Sequence, residues 1–311
     1  MRVFERSRPL LCGLALAALA GCELEEITIV EVEDVVIVEV FVDLMPDPAD
    51  NEVIAFVHQT VGQSDPAIDD LDDARITIFR STDALTLELT NESLDQCVET
   101  SPETQPGACF TADDVEVQQL RPGDILELRV ELADGGLIEG ATRVPGAFGL
   151  AGTAAACRIP PDKNIELEWT RSEGAWAYLN ETSIRGLPTL LAEEGIQMND
   201  DPLYLLGLSI SAADTTIVYP SEFGVFNRLD LQTDVATRLQ RGIPNNATAQ
   251  VTIRAVDRNY VNWARGGNFN PSGQIRVPSV TGDGTGVFGS TYGYSIQTLV
   301  IDDPRTGLPD C

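Results

Sequence analysis

Apolar and polar residues alternate along much of this chain, and the two-residue period restricts it to folds built from β-strands. In residues 125–132, Leu126, Leu128 and Val130 alternate with charged residues. Successive side chains of a strand point to opposite faces, so such a segment has one face for a core and one for solvent. Residues 133–136 (Ala-Asp-Gly-Gly) then supply a tight turn and residues 137–144 return, which predicts a β-hairpin.

Other segments show the same strand pattern, and helical patterns are few. Residues 187–198 favour a short helix or a lid, and in the ambiguous stretch 226–240 Leu229, Val235 and Leu239 could share one helical face. The sequence therefore predicts an all-β fold of the sandwich type. The further predicted strands cover residues 27–32, 35–42, 53–57, 74–80, 85–89, 203–210, 215–219, 248–256 and 292–301.

The length of 311 residues is typical of two domains. We expect an acidic immunoglobulin-like β-sandwich over residues 27–145, a linker rich in Gly, Ala and Pro over 146–164, and an aromatic-rich β-sandwich over 165–311. All three tryptophans and all six tyrosines follow residue 168. Residues 165–169 and 174–178 resemble the second and third strands of fibronectin type III sandwiches, in which a Trp and a Tyr pack across the core.

The first 21 residues have the order of a bacterial lipoprotein signal peptide. Three arginines precede an apolar run over residues 10–20, which is too short to span a hydrocarbon core of about 30 Å. The run ends in Leu19, Ala20, Gly21 and Cys22, which match a lipobox. This pattern predicts cleavage before Cys22 and lipidation of its sulfur.

Residues 22–26 would then be the lipidated cysteine and an acidic tether. Acidic residues directly after the lipid resemble the surface-export signals of some Gram-negative lipoproteins, although acidic residues are frequent throughout this half. No later segment approaches 18 apolar residues, so we expect a chain anchored to the membrane by its lipid rather than spanning it. The expected location is the outer membrane, in either the periplasmic or the surface-exposed leaflet.

Negative charge is concentrated in the first half. The net charge is -29, and residues 23–150 carry 30 acidic and 5 basic side chains, against 18 and 12 in residues 151–311. Such a surface repels phosphate backbones, so nucleic acid is not an expected partner. The division predicts a charged spacer next to the membrane and a more neutral, aromatic head farther out.

Four cysteines remain after the signal and the lipidated residue: Cys97, Cys109, Cys157 and Cys311. Export to an oxidising compartment makes disulfides the expected use, and four cysteines allow three pairings. The local choice is Cys97–Cys109, and Cys157–Cys311 would then fasten the last residue to the start of the second half. The spacings and the single histidine, His58, do not suit a zinc site.

Short motifs occur in both halves of the chain: Pro122-Gly123, the Thr-Arg-Val-Pro of residues 142–145, the run 252–260, and the late segment with Gly284, Gly286, Phe288 and Gly289. Together they resemble a family of exported lipoproteins that is known only as a domain of unknown function and whose members accompany TonB-dependent outer-membrane receptors.

The resemblance covers most of residues 22–301 but leaves residues 262–278 and the four mature cysteines unmatched. It implies an immunoglobulin-like first domain, an envelope location and a TonB-dependent receptor as partner. It assigns no catalytic residues.

No catalytic set stands out. His58 and the sole lysine, Lys163, have no sequence context of a nucleophile with its base, and no Gly-x-Ser-x-Gly motif occurs. Carboxylates are too numerous for any pair to be specific for glycoside hydrolysis. We therefore predict a protein that is not an enzyme and has no cofactor.

The densest acidic cluster is Asp69, Asp70, Asp72 and Asp73. Calcium prefers six to eight oxygen ligands, but this cluster lacks the glycine and distal glutamate of an EF-hand loop. It is a weak metal candidate beside the simpler interpretation of a solvated loop. Residues 283–286 match neither a phosphate loop nor a dinucleotide motif and indicate a glycine-rich turn.

Residues 257–270 are the best candidate for ligand binding. Aromatic faces combined with amide and guanidinium donors suit sugars or peptides, since the rings cover apolar ligand faces. The alternative is a core Tyr and Trp at a strand end, followed by a polar loop. The candidate side chains are Arg258, Tyr260, Asn262, Trp263, Arg265, Asn268 and Phe269.

Together these features predict a lipid-anchored outer-membrane lipoprotein with a noncatalytic binding or accessory role beside a TonB-dependent receptor in nutrient uptake, with a glycan or peptide as ligand. One alternative is a carbohydrate-active enzyme using Glu166, Glu168 or Asp257. The other is a structural envelope protein whose acidic half binds calcium.

Overall fold

The structure is a computed structural model and describes residues 35–59, 71–83, 85–97, 107–222, 232–266 and 277–311. The signal peptide, Cys22, the acidic tether and the strand predicted at 27–32 lie outside these ranges, as do Asp69, Asp70, Asn268 and Phe269. Strands are the predominant regular structure of the described chain, which confirms the all-β prediction.

The described strands are β1 (Val36–Leu44), β2 (Glu52–Gln59), β3 (Arg75–Arg80), β4 (Thr86–Glu92), β5 (Ala108–Ala112), β6 (Ile125–Glu131), β7 (Leu137–Arg143), β8 (Ala156–Ile159), β9 (Ile165–Glu168), β10 (Ala177–Arg185), β11 (Leu203–Leu208), β12 (Thr216–Tyr219), β13 (Thr248–Val256), β14 (Val280–Gly282) and β15 (Thr285–Val300). The α-helices of the described residues are α1 (Asp114–Val117), α2 (Leu187–Glu193), α3 (Thr233–Leu239) and α4 (Arg258–Gly266).

Thirteen of these strands form one sheet. Its order is β11-β10-β13-β15-β1-β2-β5-β4-β3-β6-β7-β14, with β8 added alongside β15, while β9 and β12 pair separately. The predicted hairpin is present as β6 and β7, with Ile125 opposite Arg143 and Glu131 opposite Leu137. Its alternation places Leu126, Leu128 and Val130 in the core.

Strand β15 joins the two halves of the chain. Residues 285–292 pair in parallel with β1, residues 291–299 pair antiparallel with β13, and residues 297–300 pair in parallel with β8. Strand β14 pairs with β7 and is followed, after only two residues, by β15. In the sheet order, the strands from β15 to β14 therefore form a curled sheet whose first and last strands, β15 and β14, are adjacent. The Ser279 amide donates to the Gly286 carbonyl across this closure, at 3.0 Å.

The division into two sandwiches and the immunoglobulin-like topology are not confirmed. A single sheet contains strands of both predicted domains, and the described residues belong to one compact unit. One hydrophobic cluster likewise includes Val40 and Ile78 from the first half and Val251 and Ile296 from the second. The predicted spacer and head are therefore two parts of one packed body.

The segment predicted as a linker packs into the fold. It contributes β8, and Phe148 makes edge contacts with Tyr178 and Tyr292 at centroid distances of 5.7 and 6.0 Å. Trp169 packs on Tyr178 at 5.2 Å, so the Trp–Tyr core contact expected from the fibronectin-like pattern is present.

Both expected disulfides form. Cys97 bonds to Cys109 across 12 residues, and Cys157 bonds to Cys311 across 154 residues. Cys157 is fully buried next to the β8–β15 pairing, so the second bond ties the end of the chain to the core.

The helices follow the sequence in part. The helix predicted at 187–198 is present as α2, and α3 buries Val235 and Leu239, while Leu229 lies outside the described residues. Residues 258–266 were expected at a strand end or in a loop but form helix α4. None of the helices in the described ranges has the length and apolar character needed to cross a membrane.

Candidate functional site

An open groove of about 500 Å³ lies on the solvent-facing side of strands β10, β11 and β13. This volume is within the range of small-ligand sites. Outward-facing side chains at every second position of the three strands line it, because β-strands alternate the side on which their side chains stand. These side chains include Glu181, Ser183, Arg185, Tyr204, Gln250 and Arg254.

The strand register sets these side chains in two rows. Ser183 is opposite Tyr204 on β11 and Gln250 on β13. Glu181 is opposite Leu206 and Thr252 in the next row. The floor therefore combines hydroxyl, amide and charged groups with apolar surface, and Tyr204 is 57% exposed at its margin.

Hydrogen bonds fix part of this floor. The Gln250 amide donates to the Ser295 hydroxyl at 3.1 Å, and the Thr252 hydroxyl donates to the same oxygen at 3.2 Å. Three polar side chains from two strands thus hold each other in place before any ligand arrives.

Arg254 lies at one end of the groove between two carboxylates. Its Nε donates to Glu181 at 2.8 Å, and its Nη1 is 3.8 Å from Asp43. Burial disfavours the charged guanidinium, yet Asp43 and Glu181 together raise the pKa of Arg254 above its ordinary value. Arg254 therefore stays charged, and its charge is balanced within the protein.

Helix α4 lies beside this end of the groove. Its buried residues Val261 and Ala264 pack on Leu179, Leu208 and neighbouring residues of β10, β11 and β13. The carboxylate of Asp257 begins the helix by accepting from the Tyr260 amide at 2.8 Å, as an N-cap does. This cap and the apolar spacing are the signals that would have predicted a helix.

Two of the predicted binding aromatics are held by the protein itself. Tyr260 and Trp263 each contact the Phe41 ring with centroids 5.5 Å apart. The Trp263 indole nitrogen donates to Glu39 at 3.2 Å. Burial, with the charges of Asp43 and Glu181 nearby, raises the pKa of the Tyr260 hydroxyl. These two side chains position α4 against β1.

The other predicted residues on α4 face outward. The Arg258 guanidinium lies 5.1 Å from the ring centroid of Trp176, which is 52% exposed, and Arg265 donates to the Ile210 carbonyl at 2.7 Å. Asn262 is half-buried between them. The structure therefore splits the predicted set into a packed pair and an outward strip.

Asp257 belongs to a buried hydrogen-bond network. Its Oδ2 accepts from the Thr142 hydroxyl at 2.7 Å, and the Thr142 and Ser290 hydroxyls lie 2.8 Å apart. Burial raises the pKa of Asp257, opposed by the hydrogen bonds from Tyr260, Thr142 and Ser290. The network joins α4, β7 and β15.

The residues considered for catalysis lie on different elements. Glu166 and Glu168 are exposed on β9 of the small sheet, whereas Asp257 is buried at the start of α4. His58 stacks on Phe56 with centroids 4.8 Å apart in β2, and Lys163 is exposed before β9.

The acidic cluster is only partly described. Asp72 and Asp73 are exposed before β3, and Asp72 accepts from the Asn91 side chain through its backbone and carboxylate oxygens. Within the described ranges, no group of three or more His, Cys, Asp or Glu side chains is arranged to hold a metal ion.

The groove was not predicted from the sequence. Its signal is visible in retrospect: β10 and β13 both place polar residues at alternate positions, Glu181-Ser183-Arg185 and Gln250-Thr252-Arg254. That pattern shows a solvent-facing side for each strand, but which two strands are neighbours depends on the fold.

The chain matches no model of a known protein family, and a search of curated proteins finds no match.

Proposed function

We propose that this protein is a noncatalytic glycan-binding lipoprotein of the cell envelope. The observation that carries the proposal is the groove of about 500 Å³, whose floor mixes polar and apolar surface, is partly fixed by hydrogen bonds, and has an exposed tyrosine at its margin. Hydroxyl and amide groups match the hydroxyls of a sugar, and an aromatic ring covers the apolar face of a pyranose.

A binding role is favoured over hydrolysis by the number of carboxylates in the groove. Among the described residues that line it, Glu181 is the one carboxylate, and it accepts a hydrogen bond from Arg254 at 2.8 Å. Glycoside hydrolysis needs a second carboxyl group that can act as an acid. We propose that the groove holds a saccharide without cleaving it.

The proposed location follows from the lipobox at residues 19–22. Lipidation of Cys22 would anchor the chain in the outer membrane, and the groove would present a glycan to a TonB-dependent receptor. Metabolic labelling with a radioactive fatty acid tests the anchor: the label should be present in the wild type and absent in Cys22→Ala. Mild crosslinking in detergent should recover a β-barrel receptor with the protein, and isolation of the protein alone would count against that partnership.

Glycan binding is tested with the full chain in detergent on an array of neutral and acidic oligosaccharides. Tyr204→Ala should weaken binding by about three- to tenfold, the effect expected for one aromatic contact. Phe79→Ala is the matched control, because Phe79 is 39% exposed on β3, away from the groove. Binding of peptides but not sugars, or release of shortened sugars during the assay, would overturn the proposal.

A further inference from the structure

We propose that the groove selects acidic oligosaccharides and that Arg185 binds the carboxylate of a uronic acid whose ring lies on Tyr204. This inference rests on the proposed glycan-binding function and names the class of glycan. It is carried by the arginine of the groove that forms no ion pair with any described carboxylate.

The two arginines that line the groove differ in their surroundings. Arg254 contacts Glu181 and has Asp43 within 4 Å. Arg185 is exposed at the end of β10, and none of the described carboxylates lies within 4.0 Å of its guanidinium; the Asp201 carboxylate accepts instead from the amide of the next residue, Gly186, at 2.9 Å. Arg185 therefore brings to the groove a guanidinium that has no ion-pair partner among the described residues, in a protein whose net charge is -29.

The register places Arg185 close to Tyr204. Tyr204 is directly opposite Ser183, and Arg185 is two residues farther along β10 on the same side of the sheet. Such diagonal neighbours have Cα atoms roughly 7–8 Å apart, within reach of a long side chain.

In a pyranuronic acid the carboxyl carbon is bonded directly to the ring. A ring stacked on Tyr204 can therefore direct its carboxylate at the Arg185 guanidinium, whose paired N–H groups match the two carboxylate oxygens. Ser183 and Gln250, in the same row as Tyr204, are placed to bind ring hydroxyls.

The opposite end of the groove disfavours a second carboxylate. The Glu181 side chain is 40% exposed there and already neutralises Arg254. A ligand carboxylate at that end would face Glu181, whereas at the Arg185 end it meets a cation. The charge pattern thus sets both the preference for an acid and the direction in which the ligand lies.

The test is isothermal titration calorimetry of the full chain in detergent with oligogalacturonate and with the same oligomer as its methyl ester. The ester keeps the shape of the sugar and removes the charge. The wild type should bind the acid about tenfold more tightly than the ester, a ratio typical of hydrogen bonds to a charged group. Added salt should reduce this ratio.

Matched variants locate the effect. Arg185→Gln should remove the preference for the acid and leave the affinity for the ester within about twofold of the wild type. Arg185→Lys should retain part of the preference, and Tyr204→Ala should weaken the binding of both ligands. Arg143→Gln, at an exposed arginine of β7, should change neither. Thermal melting of each variant verifies that it is folded.

The outcomes separate the two proposals. Equal binding of acid and ester, a preference that survives in Arg185→Gln, or Arg185-dependent binding of acidic peptides without uronates overturns the selection of uronic acids. Binding of neutral sugars alone overturns it as well, while glycan binding itself stands. Failure of every saccharide to bind overturns the proposed function.

Discussion

The strands of the first half and those of the second half bury their residues in different ways. Strand β1 alternates strictly, with Val38, Val40, Val42 and Leu44 buried and the residues between them more exposed. In β15, residues 287–293 are all buried, because one side faces the core and Tyr260 of α4 lies against Gly289 on the other. Strand β1 thus keeps a partly exposed side, whereas the middle of β15 is covered on both sides; β10, β11 and β13 again keep one side in solvent, where the groove lies.

This difference decides where charged side chains can stand. A strand with one solvent-facing side carries a charged residue at every second position, as Glu127, Arg129 and Glu131 do in β6. A strand covered on both sides cannot carry charged residues in this way, since a buried charge is costly unless it is paired. Arg254, next to α4, is paired with Glu181 and Asp43 for this reason.

The largest expected contrast comes from the two disulfides. Replacing Cys157 and Cys311 together by Ala should lower the free energy of unfolding by about 5 kcal/mol, and replacing Cys97 and Cys109 by about 3 kcal/mol, because a longer loop restricts the unfolded chain more. Urea denaturation without reductant measures both. A greater loss from the 12-residue loop would contradict the chain-entropy argument.

The pairing of β1 with β15, which joins the two halves of the chain, should be nearly as sensitive to substitution as the disulfides. A Cβ on Gly286, whose φ is +137°, would lie 2.0 Å from the Val38 carbonyl oxygen of β1. Gly286→Ala should therefore cost about 3 kcal/mol or more, since the backbones of β1 and β15 must separate.

The control for this substitution is Gly135→Ala in the first-half hairpin. Gly135 also has a positive φ, +90°, but has open space around its missing Cβ. Its substitution should cost only about 1–2 kcal/mol, the penalty for the left-handed backbone. Equal losses in denaturation would show that the β1–β15 contact is not tight.

Two aspartates should give opposite pH dependences. Burial raises the pKa of Asp257 above its ordinary value of 3.8, so the ionised carboxylate destabilises the fold at neutral pH. As the pH falls through the raised pKa toward 3.8, the carboxylate is protonated in the folded state and the destabilisation disappears. The hydrogen bond from Arg80 lowers the pKa of Asp83, so the stability it contributes is lost as pH falls through that lowered pKa.

The measurement compares the wild type with Asp257→Asn and with Asp83→Asn across this pH range. On acidification, the free energy of unfolding of the wild type should rise relative to that of Asp257→Asn and fall relative to that of Asp83→Asn. At neutral pH, Asp257→Asn should change the free energy of unfolding by no more than about 1 kcal/mol, because Asn also caps helices. The same sign at both positions would refute the assignment of burial at Asp257.

The smallest contrast concerns surface charge. Glu88 on β4 and Glu168 on β9 are both exposed, but only Glu88 lies in the strongly acidic half. Glu88→Gln should raise the free energy of unfolding by up to about 0.5 kcal/mol more than Glu168→Gln, and salt should abolish the difference. A salt-independent difference would point to a local contact instead of the summed charge.

Much of the strand content could be predicted from the sequence because alternation is a local property. The hairpin of β6 and β7, helix α2 and strand β13 are where the pattern placed them. The disulfide partners were also within reach, since the short Cys97–Cys109 loop leaves one remaining pair. Helix α4 was missed because Tyr260 and Trp263 have side chains that suit strands as well as helices.

Local alternation was enough to place most of the strands and their polar sides, though not β5, β8 or β14. That β15 joins both halves in one sheet depends on the tertiary structure, because pairing between distant strands leaves no local pattern. In the same way, the pairing of β10 with β11 and β13 brings Arg185, Tyr204 and Gln250 into one groove. Each strand carries its own alternation, but the neighbour of a strand is set by the packing of the whole core.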